Sequence, residues 1–215
     1  MIAIFRKSIR WLWVFIFFAS LYVDAKIRLF TFHYNRADFL EIQYWCLNKF
    51  LKEKDDYELI VFNDATNPQY KQEIEQTCKK LKIQCIEFPQ NLHLTGRLIE
   101  AMKRLGRYEK INENNSSVRH CQLVQYALDN FGYNHDDIIG IMEGDLFLIK
   151  EFSIREYLKN YDFIGAVQTD RKNKGLEYIW IGLSFFNIKK LPNAKALNFD
   201  LTFINNIFLD SGGST

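Results

Sequence analysis

A chain of 215 residues with 48% hydrophobic and 25% charged side chains, and only 3 prolines and 10 glycines, has the composition of one globular domain. Disorder, collagen and a small disulfide scaffold are excluded. The net charge of +2 arises at the N-terminus, where Arg6, Lys7 and Arg10 stand against Asp24; the remaining 190 residues carry 25 basic and 25 acidic side chains. Such a balanced body lacks the basic surplus by which a nucleic-acid binder displaces counterions, so no nucleic-acid partner is expected.

Residues 1–25 read as an address. A basic stretch ending at Arg10 precedes the apolar run Trp11 to Val23, and Ala25 offers a cleavage point. The run is shorter than the roughly 20 residues that span a bilayer, which favours a cleaved signal peptide. The bulky Trp11, Trp13, Phe15, Phe17 and Phe18 favour an uncleaved anchor, and a buried first helix is the third reading. The expected organisation is a signal peptide or signal anchor over 1–25 and a single domain over 26–215. The protein is then exported or held in the secretory pathway, with membrane association through residues 11–23 if the signal stays.

From Lys26 the pattern alternates. Lys26 to His33 is an apolar strand, and Asp38 to Glu53 is a helix with Phe39, Ile42, Cys46 and Phe50 at helical spacing. Tyr57 to Phe62 is a second strand; Asn67 and Pro68 start a helix to about Leu81, and Ile83 to Phe88 is a third strand. Pro89 to Ser117, with its polar cluster Glu113 to Ser117, predicts a long loop holding a short helix. Ser116 or Ser117 can cap a helix from Val118 to Phe131, with Gly132 in the left-handed end position. The strand Ile138 to Met142 follows. Ser153 and Glu156 predict a capping box, and Phe163 to Val167 and Tyr178 to Ile188 two further strands. Short strands alternating with helices predict an α/β fold with a mainly parallel sheet, flanked by helices on both faces.

The four cysteines, 46, 78, 85 and 121, include no Cys-x-x-Cys and no zinc-ligand spacing. Cys78 and Cys85 can pair in an exported chain, but two of the four lie on apolar helix faces, and core packing is the preferred reading.

Ligands of parallel α/β sheets bind beyond the carboxyl ends of the strands. Those ends are polar here: His33-Tyr34-Asn35-Arg36, Asn63-Asp64 and Glu143-Gly144-Asp145. The first glycine in the chain is Gly96, so neither of the first two strands is followed by a glycine-rich phosphate loop. Dinucleotide folds and P-loops are thereby excluded. Glu143 and Asp145 are two carboxylates at one strand end, separated by a glycine that permits a sharp bend, and hard oxygen ligands of this kind suit Mg²⁺ or Mn²⁺. The competing reading is a polar turn leaving a buried strand. Apolar residues on either side make uncompensated carboxylates costly there, which favours a cation or ligand.

The chain resembles the nucleotide-sugar-dependent glycosyltransferases of the GT-A fold. The likeness lies in the acid-x-acid motif Ile141-Met142-Glu143-Gly144-Asp145-Leu146-Phe147, together with Leu59 to Ala65, Ser117-Val118-Arg119-His120 and Ile179 to Leu183. It runs from Lys26 to about Asp210, and it departs from the family in having Glu143 where an aspartate is usual. The resemblance implies a nucleotide-sugar donor, a glycan, lipid or protein acceptor, and Mn²⁺ or Mg²⁺ on Asp145, with Glu143 as a metal or ribose contact beside Gly144. It implies further that Asn63 and Asp64 contact base or ribose, that His33 and Tyr34 line the donor pocket and that His120 reaches a phosphate. Trp180 and Gly182 would wall the sugar, and Asp210 would act as an acceptor-side base. The bland alternatives are a turn at Asn63-Asp64, strand-end packing at His33 and Tyr34, a surface histidine at 120 and a core aromatic at 180. The family usually continues beyond the point reached at Thr215, so either the chain is truncated or its acceptor half is minimal. A second reading is an exported, non-catalytic carbohydrate-binding or interaction module on the same fold.

Overall fold

The computed structural model describes residues 26–95, 97–104, 106, 114–169, 175 and 177–199, with the backbone of 202–204 and 207–209. The N-terminal segment and Asp210 lie outside the described residues. Strand β1 (Ile27–His33) is buried at every position but Arg28 because it is covered on both faces. Its alternate side chains sort into two cores. Ile27 and Leu29 join Leu59 and Val61 of β2 (Tyr57–Asn63) and Ile138 and Met142 of β4 (Ile138–Glu143), packed with Leu40 and Leu47 of α1 (Ala37–Phe50) and Ile74 and Cys78 of α2 (Pro68–Leu81). Phe30, Phe32, Ile60, Phe62, Ile139 and Ile141 point the other way, against Leu123, Val124 and Ala127 of α5 (Ser116–Ala127). Phe30 and Phe62 meet edge to face, with ring centroids 5.4 Å apart. Burying each such ring contributes about 1.5–3 kcal/mol.

The main sheet has six strands in the order β3-β2-β1-β4-β6-β5, with β3 at Gln84–Glu87, β5 at Phe163–Thr169 and β6 at Glu177–Asn187. Strands β3, β2, β1 and β4 pair in parallel, and β6 runs antiparallel to both β4 and β5. The fold is thus a single α/β domain with a mostly parallel sheet flanked by helices. The chain steps from β1 outward to β2 and β3, then returns by way of α5 to β4 on the other side of β1. Right-handed crossovers in opposite directions put α1 and α2 on one face and α5 on the other. At this reversal the carboxyl ends of β1 and β4 open a crevice. A separate hairpin joins β7 (Thr202–Ile204) to β8 (Ile207–Leu209).

Five local expectations change. The buried stripe of α1 is Leu40, Gln43, Cys46 and Leu47, while Ile42 is 46% exposed, because a polar glutamine occupies the inner face. Asn115, rather than Ser116 or Ser117, caps α5, accepting from the backbone N–H groups of Ser117 and Val118. Helix α5 then runs into a π-turn over Leu128–Gly132, and Gly132 has no positive φ. A Cβ there would lie 3.0 Å from Leu128 and 3.4 Å from Phe30, so the glycine serves close packing. Ser153 does cap α6 (Ile154–Tyr157) through the Glu156 N–H, but the remaining helix-end donors, Ile154 N and Arg155 N, bind Glu53 from beyond the end of α1. The span expected as loop holds two helices, α3 (Leu92–Thr95) and α4 (Arg97–Arg104).

Candidate functional site

Where β4 ends beside β1, Gly144 presses against the backbone. A Cβ on it would stand 2.4 Å from the Phe32 carbonyl oxygen and 3.0 Å from the His33 ring, so only glycine lets the two strand ends approach this closely. The turn that follows is held from below by Gln43. Its amide donates to the carbonyls of Glu143 (2.8 Å) and Leu146 (3.1 Å), and its oxygen accepts from the Thr31 hydroxyl at 2.7 Å. One buried glutamine thereby ties α1, β1 and the acidic turn together.

His33 lies beneath this turn, 2% exposed, with Nε2 3.3 Å from the Thr31 hydroxyl. Burial lowers its pKa to about 4; hydrogen bonding to Gln43 and to the Arg36 backbone and the charges of Asp145 and Asp38 oppose the shift without reversing it. The imidazole is neutral at neutral pH.

Above lies a cavity of about 480 Å³. It is lined by His33, Tyr34 and Arg36 from the end of β1, by Ser116, Ser117 and His120 from the first turns of α5, and by all of Glu143-Gly144-Asp145. Asp145 is exposed at the mouth. Glu143 is drawn inward: Oε1 lies 3.5 Å from His120 Nδ1, and a Cβ on Gly182 would come within 2.8 Å of its carboxyl carbon. That Cβ would also meet the Trp180 ring at 2.3 Å, so the absence of a side chain at 182 lets the indole fold down beside Glu143. Seven of the expected residues, His33, Tyr34, His120, Glu143, Gly144, Trp180 and Gly182, are thus gathered with Asp145 at one strand end.

Asn63 and Asp64 are placed differently. The Asn63 side chain is buried and spent on backbone, donating to the Lys71 carbonyl and accepting from Ala65 N. Asp64, 2% exposed, borders a neighbouring cavity of about 200 Å³ together with Tyr34, Asn114, Ser116, Arg119 and His120. Both of its carboxylate oxygens are engaged. Oδ2 accepts from Arg119 Nε (3.0 Å) and Nη2 (2.7 Å), and Oδ1 lies 2.8 Å from His93 Nε2 and accepts from Gln90 Nε2 at 2.8 Å. The Arg119 guanidinium also sits 5.2 Å from the centre of the Tyr34 ring.

Sequence reasoning missed Gln43, Gln90, His93 and Arg119 as organisers of the site, and Arg36 in its wall. A signal existed for one of them: Arg119 adjoins His120 in the same helix turn. Gln43 was detectable only as a polar residue interrupting an apolar helix stripe.

The donor set suits a cation that arrives with its own oxygen ligands. Among the described residues no group of three or more His, Cys, Asp or Glu side chains could hold a metal ion alone. Mg²⁺ and Mn²⁺ sites are commonly completed by one or two carboxylates and the phosphate oxygens of a ligand, and Asp145 and Glu143 are the carboxylates in this cavity that could supply that share.

No family model matches the chain, and no curated protein matches it in sequence. Solved structures do resemble it. The mannosyltransferase Ktr4p from S. cerevisiae superposes with a TM-score of 0.52 at 11% identity, over 80% of this chain and 59% of that one. Core-mannan synthase A from Aspergillus fumigatus, in its Mn/GDP form, gives 0.49 at 11% identity, over 78% and 60%. The mannosyltransferase PcManGT from Pyrobaculum calidifontis, in complex with GDP-Man and Mn²⁺, gives 0.44 at 10% identity, over 75% and 44%. This chain spans less than two thirds of the length of each. At 11% identity the likeness to Ktr4p is one of fold, and it agrees with a GT-A type arrangement of the sheet around the β1/β4 crevice.

Proposed function

We propose that the protein is a metal-dependent glycosyltransferase that moves a sugar from a nucleotide-sugar donor, bound in the β1/β4 crevice, to a hydroxyl of a glycan, lipid or protein. The observation that carries this reading is the packing of Glu143-Gly144-Asp145 against His33 at the point where the strand order reverses. The fold likeness to the mannosyltransferase Ktr4p supports it and makes a mannosyl donor the first to try.

Asp145, exposed at the mouth, and Glu143, deeper in, would hold Mn²⁺ or Mg²⁺. Such an ion supplies Lewis-acid stabilisation of the charge that builds on a departing diphosphate. Ser116 and Ser117 line the same cavity at the positive end of the α5 dipole, which favours an anionic ligand there. Neutral His33 adds bulk and orientation without competing for the cation. Tyr34, 53% exposed, offers a flat surface at the rim, and Trp180 closes the side nearest Glu143. In this reading Asp210 is the acceptor-side base, and residues 1–25 deliver the domain to the secretory pathway as a signal peptide or anchor.

The test is the melting temperature of the protein with a panel of nucleoside diphosphates and their sugars, each with and without Mn²⁺, beside Asp145→Ala. Ligand bound to the folded state raises the melting point. A rise that needs both nucleotide and metal and vanishes in the variant identifies the donor site. Absence of any rise in folded protein overturns the reading.

A further inference from the structure

Helix α2 and strand β3 are joined by one of the tightest reversals in the fold. Lys82 takes the left-handed conformation, φ 58° and ψ 39°, and the N–H of Ile83 binds back to the carbonyl of Cys78 at 2.9 Å. The chain therefore folds straight back over the end of the helix. Cys85, three residues past the reversal and in register with Val61, returns to the side chain it left. Cys78 is 1% exposed in the core beneath α2, and Cys85, half-buried, packs against that same core. The two sulfurs act directly on one another, which holds the Cys78 thiol above the ordinary cysteine range and the Cys85 thiol below it.

We propose that Cys78 and Cys85 are a disulfide-forming pair that fastens the C-terminal end of α2 to the edge strand β3. The oxidant is a small disulfide such as oxidised glutathione. Cys85 is the attacking residue, for reasons of both access and charge. It stands on the edge strand of the sheet while Cys78 is enclosed, and the Cys78 thiol beside it lowers its pKa. The Cys85 thiolate attacks one sulfur of the glutathione disulfide, forming a mixed disulfide and releasing one glutathione thiolate. The Cys78 sulfur then attacks the Cys85 sulfur, its proton passing to the departing glutathione thiolate, and the second glutathione leaves as a thiol. Two thiols are oxidised to one disulfide, and one glutathione disulfide is reduced to two thiols. Cys46 and Cys121, 6% and 0% exposed, lie in other parts of the core and remain thiols.

The bond bears on the rest of the molecule through what β3 leads into. Phe88 is fully buried directly after it, and Gln90 and His93 follow to hold Asp64. An edge strand fastened to its helix fixes the start of that segment.

The test treats the full chain, folded in reductant, with oxidised glutathione. Intact mass and a non-reducing tryptic map are then compared with an untreated sample. Lys79, Lys80 and Lys82 lie between the two cysteines, so trypsin separates their peptides unless a disulfide joins them. The expected result is a mass lower by two hydrogen atoms, a joined pair of peptides carrying Cys78 and Cys85 that parts on reduction, and a melting temperature above that of the reduced form. Cys85→Ser, at a half-buried position, should lose the joined pair and the rise in melting temperature. A stable glutathione adduct on Cys85, a bond to Cys46 or Cys121, an unchanged mass, or an oxidised form that melts lower would each overturn the proposal.

Discussion

Arg119 reaches Asp64 with two nitrogens on a single carboxylate oxygen, Nε at 3.0 Å and Nη2 at 2.7 Å, across 55 residues of sequence. The guanidinium is 14% and the carboxylate 2% exposed, so this is an ion pair largely withdrawn from water. Removing one partner of such a pair leaves the other charge uncompensated, at a cost of about 3–5 kcal/mol. Asp64→Ala should therefore lower stability by that order in chemical denaturation. Asp64→Asn, which keeps an acceptor for His93 or Gln90, should cost less. Equal stability of Asp64→Ala and the parent would show that the network contributes nothing to the fold.

Gly144→Ala tests the contact between strand ends. The obstructing atom is the Phe32 carbonyl oxygen, part of a paired β-strand that cannot swing away like a side chain. Overpacking of this kind costs about 1–3 kcal/mol. Any nucleotide- and metal-dependent thermal shift should fall with it, because the acidic turn is displaced from the cavity. A variant with parental melting and parental ligand response would remove the close approach from the account of the site.

Stability should fall in mild acid because of His33. Its pKa in the folded state is about 4, against 6.5 for the ordinary side chain. Between these values the unfolded chain binds a proton that the folded chain does not, so protonation favours unfolding. The stability is whole above pH 6.5 and declines toward pH 4, by about 3 kcal/mol at about 1.4 kcal/mol for each pH unit. Urea denaturation of metal-free protein at pH 7 and pH 5 measures the decline. His33→Gln should flatten it, and an identical acid slope in that variant would assign the decline to other groups.

Gln43→Leu should be more damaging than a polar-to-apolar change at a buried site usually is. The Thr31 hydroxyl loses its acceptor and the Leu146 carbonyl its donor, while the Glu143 carbonyl still accepts from the Leu146 N–H. Each buried group left without a partner costs about 1–3 kcal/mol. A loss of several kcal/mol by calorimetry, together with a weakened ligand response, is the expected outcome. Gln43→Glu would show whether the donor matters more than the acceptor.

The architecture was largely legible from periodicity, because strands buried on both faces read as apolar runs and their alternation with helices fixes the crossovers. Helix α1 shows where that signal gives out. Phe39, Ile42, Cys46 and Phe50 make a plausible stripe, yet the inner face carries Gln43, whose partners are 12 to 103 residues away. Glu143, Gly144 and Asp145 were visible as a motif, since their spacing is local. The Asp64 network was not, because Gln90 and His93 come from a segment with weak periodicity, and nothing in a sequence states that these two and Arg119 converge on one carboxylate. The Asn115 cap was hidden by two neighbouring serines of equal capping ability.

The pairing between β6 and its neighbours changes partway along. Met142 opposite Leu183 is the last pair with β4, whereas β5 is opposite Ser184 at Gly165 and opposite Trp180 at Ala166. Residues 181–183 thus form a bulge, and the strand N-terminal to it keeps only β5 as a partner among the described residues. That portion of the hairpin is a cantilever, a two-stranded beam rooted at one end, with Val167 on it 66% exposed. Its root, Gly182, lies beside Glu143. Bending concentrates where a beam meets its support, and here that point is the wall of the crevice. Hydrogen exchange should be faster in 177–180 than in 184–187, and any load that the crevice places on Glu143 will be felt along the beam.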